Sequence, residues 1–354
     1  MYPRIEINLK NIVENAKKVK KLCEKQGISL SLVVKILADS KEIVQTLVEN
    51  GIDCICDSRI MNLKSYQDIT VEKWLIRIPM ISEVKEVVKY TDVSLNSEMQ
   101  VIRKLNDEAK KQNKKHKVIL MYELGDLREG CLKEELEEIL KESIKLDNIE
   151  VYGIGINLSC YGEIVPTEEN MRELEEIVEE LENKYQIRFK VISGGSSSSY
   201  NMLKEGKLPK KINNLRLGEA VFLGNVPCFE EEIEDLNRNN FLLKTEIIEL
   251  KEKPSVPRGK RGKSNSFGEN ITFIDRGIRK RAIVGLGKQD VRIECLTPVD
   301  ESIIILDGSS DHILLDVSDS SKHYKVGDII EFKLNYAGIL TTMTSKYVER
   351  KIVR

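Results

Sequence analysis

The chain has 354 residues, 41% of them hydrophobic, and its 56 lysines and arginines nearly balance its 58 acidic residues. This length leaves room for a (β/α)8 barrel of about 250 residues and a smaller domain. Basic and acidic residues alternate along predicted helices, which argues against a nucleic-acid surface, and no apolar run approaches the roughly 20 residues of a membrane helix. We expect a soluble protein with no nucleic-acid or membrane partner.

The first residues lack the charged and apolar regions of a signal peptide, so we expect a cytoplasmic protein. The seven cysteines are scattered, without paired C-x-x-C motifs, which predicts free thiols and no structural zinc or other metal site. Cys54 and Cys56 alternate along a predicted strand and share one face, a pattern typical of core packing.

Strands and helices alternate through the first two thirds of the chain, as in parallel βα units. After a first helix near residues 9–24, eight apolar runs predict strands at 29–37, 51–57, 73–79, 92–96, 117–124, 149–158, 188–193 and 214–223. Stretches of helical period lie between most of them, at 41–50, 97–112, 133–146 and 167–184, with a shorter one at 197–206. The pattern predicts an α/β fold that contains a closed (β/α)8 barrel.

The character of the sequence changes after residue 225. Runs rich in Val, Ile and Leu predict strands at 242–250, 281–287, 291–296, 302–306, 313–317, 329–335 and 346–353. The insert 254–263 is rich in proline, glycine and charge, which predicts an exposed loop, either merely solvated or attracting an anion at the mouth of a site. We assign residues 1–228 to the barrel domain and 229–354 to a mostly β domain, which the first few residues could join.

Lys35 stands alone in an apolar run near the start of the chain. A buried ammonium costs several kcal/mol unless it is paired, neutralised or used covalently. A lysine that forms a Schiff base needs such surroundings, because desolvation favours the neutral amine. The alternative is a lysine that reaches solvent from an edge strand.

The seventh predicted strand runs into a Gly-Ser cluster, Ser193 to Ser199. Glycines allow a close approach of the backbone, and serine hydroxyls with free N–H groups suit a phosphate, which barrel enzymes often bind after strands seven and eight. Turns commonly have the same composition. The following segment, Leu215-Arg216-Leu217-Gly218, makes the cluster a candidate phosphate site.

Together these motifs resemble the pyridoxal-phosphate barrel of the alanine racemase family, closest to its ornithine racemase branch. The resemblance extends into the β domain and spans nearly the whole chain. The motifs that carry it are Lys35, Asp57-Ser58-Arg59, Gly125-Asp126-Leu127-Arg128-Glu129-Gly130, Asn157-Leu158-Ser159-Cys160-Tyr161-Gly162, the Gly-Gly-Ser-Ser loop, Asn214 to Ala220, Asp275 to Ala282 and Met343 to Val348.

The resemblance implies roles for the two central cations. Lys35 would hold pyridoxal 5'-phosphate as a Schiff base and then act as a base at the α-carbon of the substrate. Arg216 would face the pyridine nitrogen; a guanidinium keeps its proton, so the ring stays a weaker electron sink and the proton returns to the α-carbon. The alternative for Arg216 is a salt bridge at the barrel rim, which without the resemblance is the less favoured interpretation.

Further positions follow from the same resemblance. Arg128 would bind the substrate carboxylate, and Asn157 would hydrogen-bond near Arg216 or cap a loop. The phosphate-binding positions are Gly195, Ser196, Ser197 and Gly218 in the barrel and Tyr347 in the β domain.

This chain departs from the family at the second proton-transferring group. The family has a tyrosine before a glycine, contributed by the partner subunit, where this sequence has Phe267 before Gly268. Phenylalanine carries no exchangeable proton, so another residue must serve, or Lys35 must work on both faces. Our candidate is Ser266, with alternatives at Ser264, Cys160, Asp311 and His312.

Two other departures concern charge. Met121 replaces a lysine that is carbamylated in many alanine racemases and orients the arginine at position 128, and we expect Glu123 to replace that support. Asp39 replaces a phosphate-binding tyrosine; with Glu129 and Glu219 it could suit a substrate that has a second ammonium, although each could be an ordinary surface carboxylate.

These features predict a pyridoxal phosphate-dependent racemase that interconverts L and D enantiomers, most simply of ornithine or a related basic amino acid, by removing the α-proton. The alternatives are a non-catalytic protein of pyridoxal phosphate homeostasis, which the β domain argues against, and a lyase or decarboxylase on the same scaffold. The resemblance implies a head-to-tail homodimer with shared active sites. The preferred amino acid and the second acid/base stay open.

Overall fold

The computed structural model describes residues 1–354. The chain divides into two compact units. Asn11–Arg238 form the barrel unit, while Met1–Lys10 and Asn239–Arg354 form the β unit. The first strand, β1 (Arg4–Asn8), belongs to the β unit.

Eight parallel strands of the barrel unit form a closed barrel, and the pairing of its first strand with its last closes the ring. The predicted barrel is confirmed, with shorter strands than the apolar runs indicated. The strands are β2 (Ser29–Val33), β3 (Cys54–Asp57), β4 (Glu72–Leu75), β5 (Val93–Asn96), β6 (His116–Met121), β7 (Ile149–Gly155), β8 (Val191–Ser193) and β9 (Asn214–Leu217).

Helices connect the barrel strands, and a short pair, β10 (Asn225–Val226) and β11 (Glu231–Glu232), follows them. The helices are α1 (Leu9–Lys25), α2 (Lys41–Glu49), α3 (Ile60–Ser65), α4 (Val84–Tyr90), α5 (Met99–Lys111), α6 (Lys133–Ser143), α7 (Glu168–Tyr185), α8 (Tyr200–Glu205) and α9 (Glu219–Leu223). None of the helices in the structure is both long and apolar enough to cross a membrane.

Helix α7 shows how local sequence sets these elements. Its apolar residues recur every three or four positions and are buried on one face. At its start, the Thr167 hydroxyl accepts from the Asn170 amide N–H and the Asn170 side chain accepts from the Thr167 N–H, a reciprocal cap. The helix ends at Gln186, whose φ of 52° is left-handed.

Side chains from neighbouring strands fill the barrel. These side chains form a buried hydrophobic cluster that contains Trp74, Cys54 and Cys56, so the predicted core role of the two cysteines is confirmed. Filling of the interior leaves the carboxyl ends of the strands and their loops to carry polar chemistry.

The β unit is built on a sheet in the order β14-β17-β12-β13-β16-β15, and β1 pairs with both β12 and β18. Its strands are β12 (Phe241–Pro254), β13 (Ile278–Val284), β14 (Leu296–Pro298), β15 (Ile304–Gly308), β16 (Ile313–Asp316), β17 (Ile329–Leu334) and β18 (Glu349–Val353). All pairs in it are antiparallel except β1 with β18. The prediction of a mostly β C-terminal region is confirmed.

The β unit differs from the predictions at two places. Residues 291–296, predicted as a strand, form a 3-10 turn at Ile293–Cys295 before the short strand β14. Helix α10 (Tyr336–Thr344) was not predicted; the Asn335 side chain caps it by accepting from the Gly338 N–H. The helix has only nine residues and lies between two predicted strands, so its helical periodicity is too short to stand out in the sequence.

Candidate active site

Lys35 lies just beyond the first barrel strand rather than inside it. Strand β2 ends at Val33, the Val34 N–H donates to the Cys56 carbonyl at 2.8 Å, and Lys35 then begins a 3-10 turn that ends before Ala38. The predicted strand across residues 29–37 is therefore wrong after residue 33, because the turn takes over the backbone hydrogen bonds. Lys35 is half-buried at the barrel rim instead of enclosed in the sheet.

Two carboxyl groups lie within electrostatic reach of Lys35. Asp57, the last residue of β3, is fully buried, and burial raises its pKa to about 6, although the Arg59 amide, the Asn62 side chain and the Lys35 charge oppose the shift. Burial also raises the pKa of Glu219, against a hydrogen bond from Asn225 and the Lys35 charge. Lys35 thus shares its end of the barrel with two partly or fully buried acids.

Asp57 also holds the local backbone. Its Oδ1 accepts from the Arg59 N–H at 2.8 Å, and the Asn62 Nδ2 donates to its two oxygens at 3.2 and 3.1 Å, just where α3 begins. Sequence reasoning included Asp57 in a motif but assigned it no role. The signal was present: a carboxylate ends a buried parallel strand, at the barrel face where active sites form.

Arg216, on β9, is a buried cation held by neutral acceptors. Only 3% of the residue is exposed. Its Nη1 donates to the Ser193 hydroxyl, and its Nη2 donates to the Ile156 carbonyl at 2.6 Å and to the Asn157 Oδ1 at 2.7 Å. Burial lowers the pKa of Arg216 from its ordinary value, yet a guanidinium keeps its proton in proteins.

Asn157 connects Arg216 to Glu129 and Arg128. The Asn157 Nδ2 donates to Glu129 Oε1, and Arg128 donates to the same carboxylate through Nε and, at 2.7 Å, through Nη2. Of the two roles that we considered for Asn157, hydrogen bonding beside Arg216 is the one present. Glu129 was noted only as an acid for the substrate ammonium, so sequence reasoning missed its place between Asn157 and Arg128.

The expectation that Glu123 orients Arg128 is wrong. The Glu123 Oε1 accepts instead from the backbone N–H groups of Gly125 and Leu127, at 2.6 and 3.0 Å. It therefore shapes the loop after β6, while the adjacent Glu129 is the carboxylate that reaches the guanidinium of Arg128.

Asp126 ties the loop after β6 to the loop after β7. It is 1% exposed and accepts from the backbone N–H groups of Cys160, Tyr161 and Gly162 at 3.1 to 3.2 Å. A Cβ at Gly162 would lie 2.7 Å from the Asp126 carbonyl oxygen, so only glycine fits there. The two loops that carry Arg128 and Asn157 are thus held together.

The Gly-Ser loop meets the start of α9. Gly195 has a φ of 100°, which favours glycine, and the Ser196 side chain caps the following turn. The Ser197 hydroxyl accepts from the N–H groups of Gly218 and Ala220 at 3.2 and 3.1 Å. A Cβ on Gly218 would lie 2.9 Å from the Val33 carbonyl oxygen. Backbone donors therefore converge at the ends of β8 and β9, close to the strand that precedes Lys35.

The remaining predicted residues lie in the β unit. Ser266 and Phe267 belong to the segment between β12 and β13, and both are exposed and line a cavity of about 470 Å³ within this unit. The Lys288 ammonium lies 4.8 Å from the centre of the Phe267 ring. Tyr347 is 70% exposed. A catalytic role for Ser266 and a phosphate contact by Tyr347 stay predictions.

Comparison with known proteins agrees with this architecture. Residues 7–226 match the family model described as the alanine racemase N-terminal domain. The chain is 46% identical over 354 residues to the ornithine racemase of Acetoanaerobium sticklandii, covering 100% of both proteins. It is 40% identical over 352 residues to the lysine racemase of Thermotoga maritima, covering 99% of this chain and 98% of that protein.

Solved structures agree on the fold. An alanine racemase from Clostridium difficile 630 superposes with a TM-score of 0.77 at 18% identity, covering 99% of this chain and 95% of that one. The alanine racemase from a D-cycloserine-producing Streptomyces lavendulae gives 0.78 at 15% identity, covering 100% and 98%. At these identities the likeness concerns the fold alone.

Proposed function

We propose that this chain, a member of the alanine racemase family, is a pyridoxal phosphate-dependent racemase of ornithine or a related basic amino acid. The relatives that match it over their full length are racemases of ornithine and of lysine. Both substrates have a second ammonium. The single observation that supports the proposal most is the placement of Lys35 and Arg216 at the ends of paired strands, beside a cluster of backbone donors.

The residues of the barrel unit suit the cofactor. Arg216 is a buried guanidinium whose direct partners are all neutral, and it is an appropriate group for a pyridine nitrogen that must stay unprotonated. Ser197 and the amides of Gly218 and Ala220 would hold the phosphate, with Gly195 and Ser196 completing the loop. Lys35 would attach the cofactor through its amine.

Bound pyridoxal phosphate supplies an electron-withdrawing ring that makes the α-hydrogen of an amino acid acidic. The Lys35 amine would remove this proton from one enantiomer on its own face, and in the reverse direction its ammonium would deliver a proton to that face. Arg128 holds the α-carboxylate, which fixes the α-carbon relative to Lys35. Asp57 and Glu219 lie within electrostatic reach of the Lys35 amine, and their ionised forms would stabilise its protonated state.

Racemisation also needs a proton on the opposite face of the α-carbon. We propose that the group comes from the β unit of a partner subunit, in a head-to-tail homodimer, with Ser266 as the candidate because Phe267 cannot transfer a proton. Cys160 is the alternative on the barrel unit. A fully active monomer in light scattering would exclude the dimer proposal. A cytoplasmic location stays a prediction.

The decisive experiment is chiral chromatography after incubation of the holoenzyme with ornithine, lysine, arginine and alanine. We expect both enantiomers from a single ornithine enantiomer, with exchange of its α-hydrogen in deuterated water. Lys35→Ala is the control and should be colourless and inactive. Full racemisation by that variant would exclude the mechanism, whereas a yellow wild type that exchanges no α-hydrogen would indicate a non-catalytic binding protein, and a decarboxylated product a lyase.

A further inference from the structure

Arg128, Glu129, Asn157 and Arg216 form a continuous hydrogen-bonded chain across the barrel rim. Its order is dictated by chemistry, since guanidinium groups only donate hydrogen bonds and a carboxylate only accepts them. The Asn157 amide must therefore turn its oxygen to Arg216 and its nitrogen to Glu129. If the carboxylate were lost, Arg216 alone would orient this amide, and the Asn157 nitrogen would lose its charged acceptor.

The contact between Glu129 and Arg128 uses one particular edge of the guanidinium. Arg128 donates through Nε and Nη2, and this pairing leaves Nη1 and the outer hydrogen of Nη2 for another partner. These two groups form the end-on fork that binds a carboxylate with two parallel hydrogen bonds. The Glu129 side chain is 17% exposed and that of Arg128 is 39% exposed, so the fork remains accessible.

Glu129 is itself held from both sides. Asn157 donates to it from the loop after β7, and Asp126 ties that loop to the loop after β6. Met121, the last residue of β6, is fully buried and contributes no charge. Glu129 is therefore the carboxylate bonded to Arg128, and its two neighbours in the chain prevent it from turning away.

We propose that Glu129 is a positioning residue that turns the free fork of Arg128 toward the substrate α-carboxylate and couples that contact, through Asn157, to Arg216. This inference deepens the proposed function and rests on it. It assigns to Glu129 a role in binding the carboxylate of the substrate rather than its second ammonium.

The test compares two ligands that differ only in the α-carboxylate: ornithine, and 1,4-diaminobutane, which lacks it. Binding of each to the holoenzyme is followed by the change in cofactor absorbance on titration. We expect Glu129→Gln to weaken ornithine binding by about tenfold, as for loss of a charge-assisted hydrogen bond, and to leave 1,4-diaminobutane binding unchanged. The KM for ornithine should rise more than kcat falls.

Glu168→Gln is the matched control, because it removes the same carboxylate from an exposed pair with Arg172, and it should leave both ligands unaffected. In an Arg128→Ala background, Glu129→Gln should cause no further loss of ornithine affinity. Equal weakening of both ligands, or a full tenfold loss in the Arg128→Ala background, would overturn the inference. A wild type that binds ornithine without racemising it would instead refute the proposed function.

Discussion

The surroundings of Lys35 and of Arg216, on two sides of the barrel rim, differ in charge. Lys35 has two carboxyl groups within electrostatic reach, Asp57 and Glu219, whose pKa values are raised by burial. Arg216 contacts a hydroxyl, a carbonyl and an amide, and Glu129 reaches it only through Asn157. Under the proposed mechanism a proton would move at Lys35 and stay at Arg216, which acids on the first side and neutral acceptors on the second would suit.

The largest effect should come from Arg216→Lys, which keeps the charge but removes the planar fork. One ammonium cannot reach Ser193, Ile156 and Asn157 together, so we expect a decrease in kcat of about 100-fold or more. Steady-state racemisation and cofactor absorbance would measure it. Activity within threefold of the wild type would show that charge alone is enough on this side.

Asn157→Asp would give the Arg216 side a direct carboxylate. The new group can accept from Arg216 but cannot donate to Glu129, so two carboxylates would face each other. Their repulsion should raise the apparent pKa of the pair, which would then take up a proton at a higher pH than a single carboxylate does. We expect a tenfold to 100-fold loss of kcat/KM, roughly, that partly recovers as pH falls. Asn157→Ala, which adds no charge, should show no such recovery; identical pH profiles would refute the reasoning.

Asp57→Asn tests the Lys35 side through stability. Because the pKa of Asp57 rises from 3.8 to about 6 on folding, its contribution to stability is present below the unfolded value and is lost as pH rises through the folded value. The shift corresponds to about 3 kcal/mol. In urea unfolding, the free energy of unfolding of the wild type should fall by up to this amount between pH 4 and pH 7, relative to that of the variant. Parallel profiles for the two proteins would contradict the assigned burial effect.

The smallest change, Gly162→Ala, tests how firmly the Arg216 side is held. The added Cβ would lie 2.7 Å from the Asp126 carbonyl oxygen. We therefore expect the free energy of unfolding to fall by about 1–3 kcal/mol, measured by thermal unfolding, and the KM for ornithine to rise. Gly262→Ala is the control, since its Cβ would have only one neighbour, at 3.7 Å. An unaltered melting temperature for Gly162→Ala would show that the loop after β7 shifts at little cost to accommodate the added methyl group.

The sequence predicted the fold best where a local pattern carried the information. The apolar runs predicted all eight barrel strands. The Gly-Ser loop was identified from composition and spacing, whereas the role of Arg216 came from the resemblance to the family. The helix α10 was missed because its signal lies between two strands, and Lys35 was placed in a strand because an apolar run does not reveal where pairing stops. The partner of Arg128 was assigned to Glu123 when Glu129 holds it.

By itself, the sequence determined the alternation of strands and helices, the family resemblance and the candidate lysine and arginines, because periodicity and short motifs are local properties. Only the tertiary structure decided which groups meet. Asn157 contacts Glu129 across 28 positions and Arg216 across 59, and Asp57 comes near Lys35 because β3 pairs with β2. Such contacts depend on strand register and loop conformation, which hydrophobic burial and backbone hydrogen bonding of the whole barrel settle together.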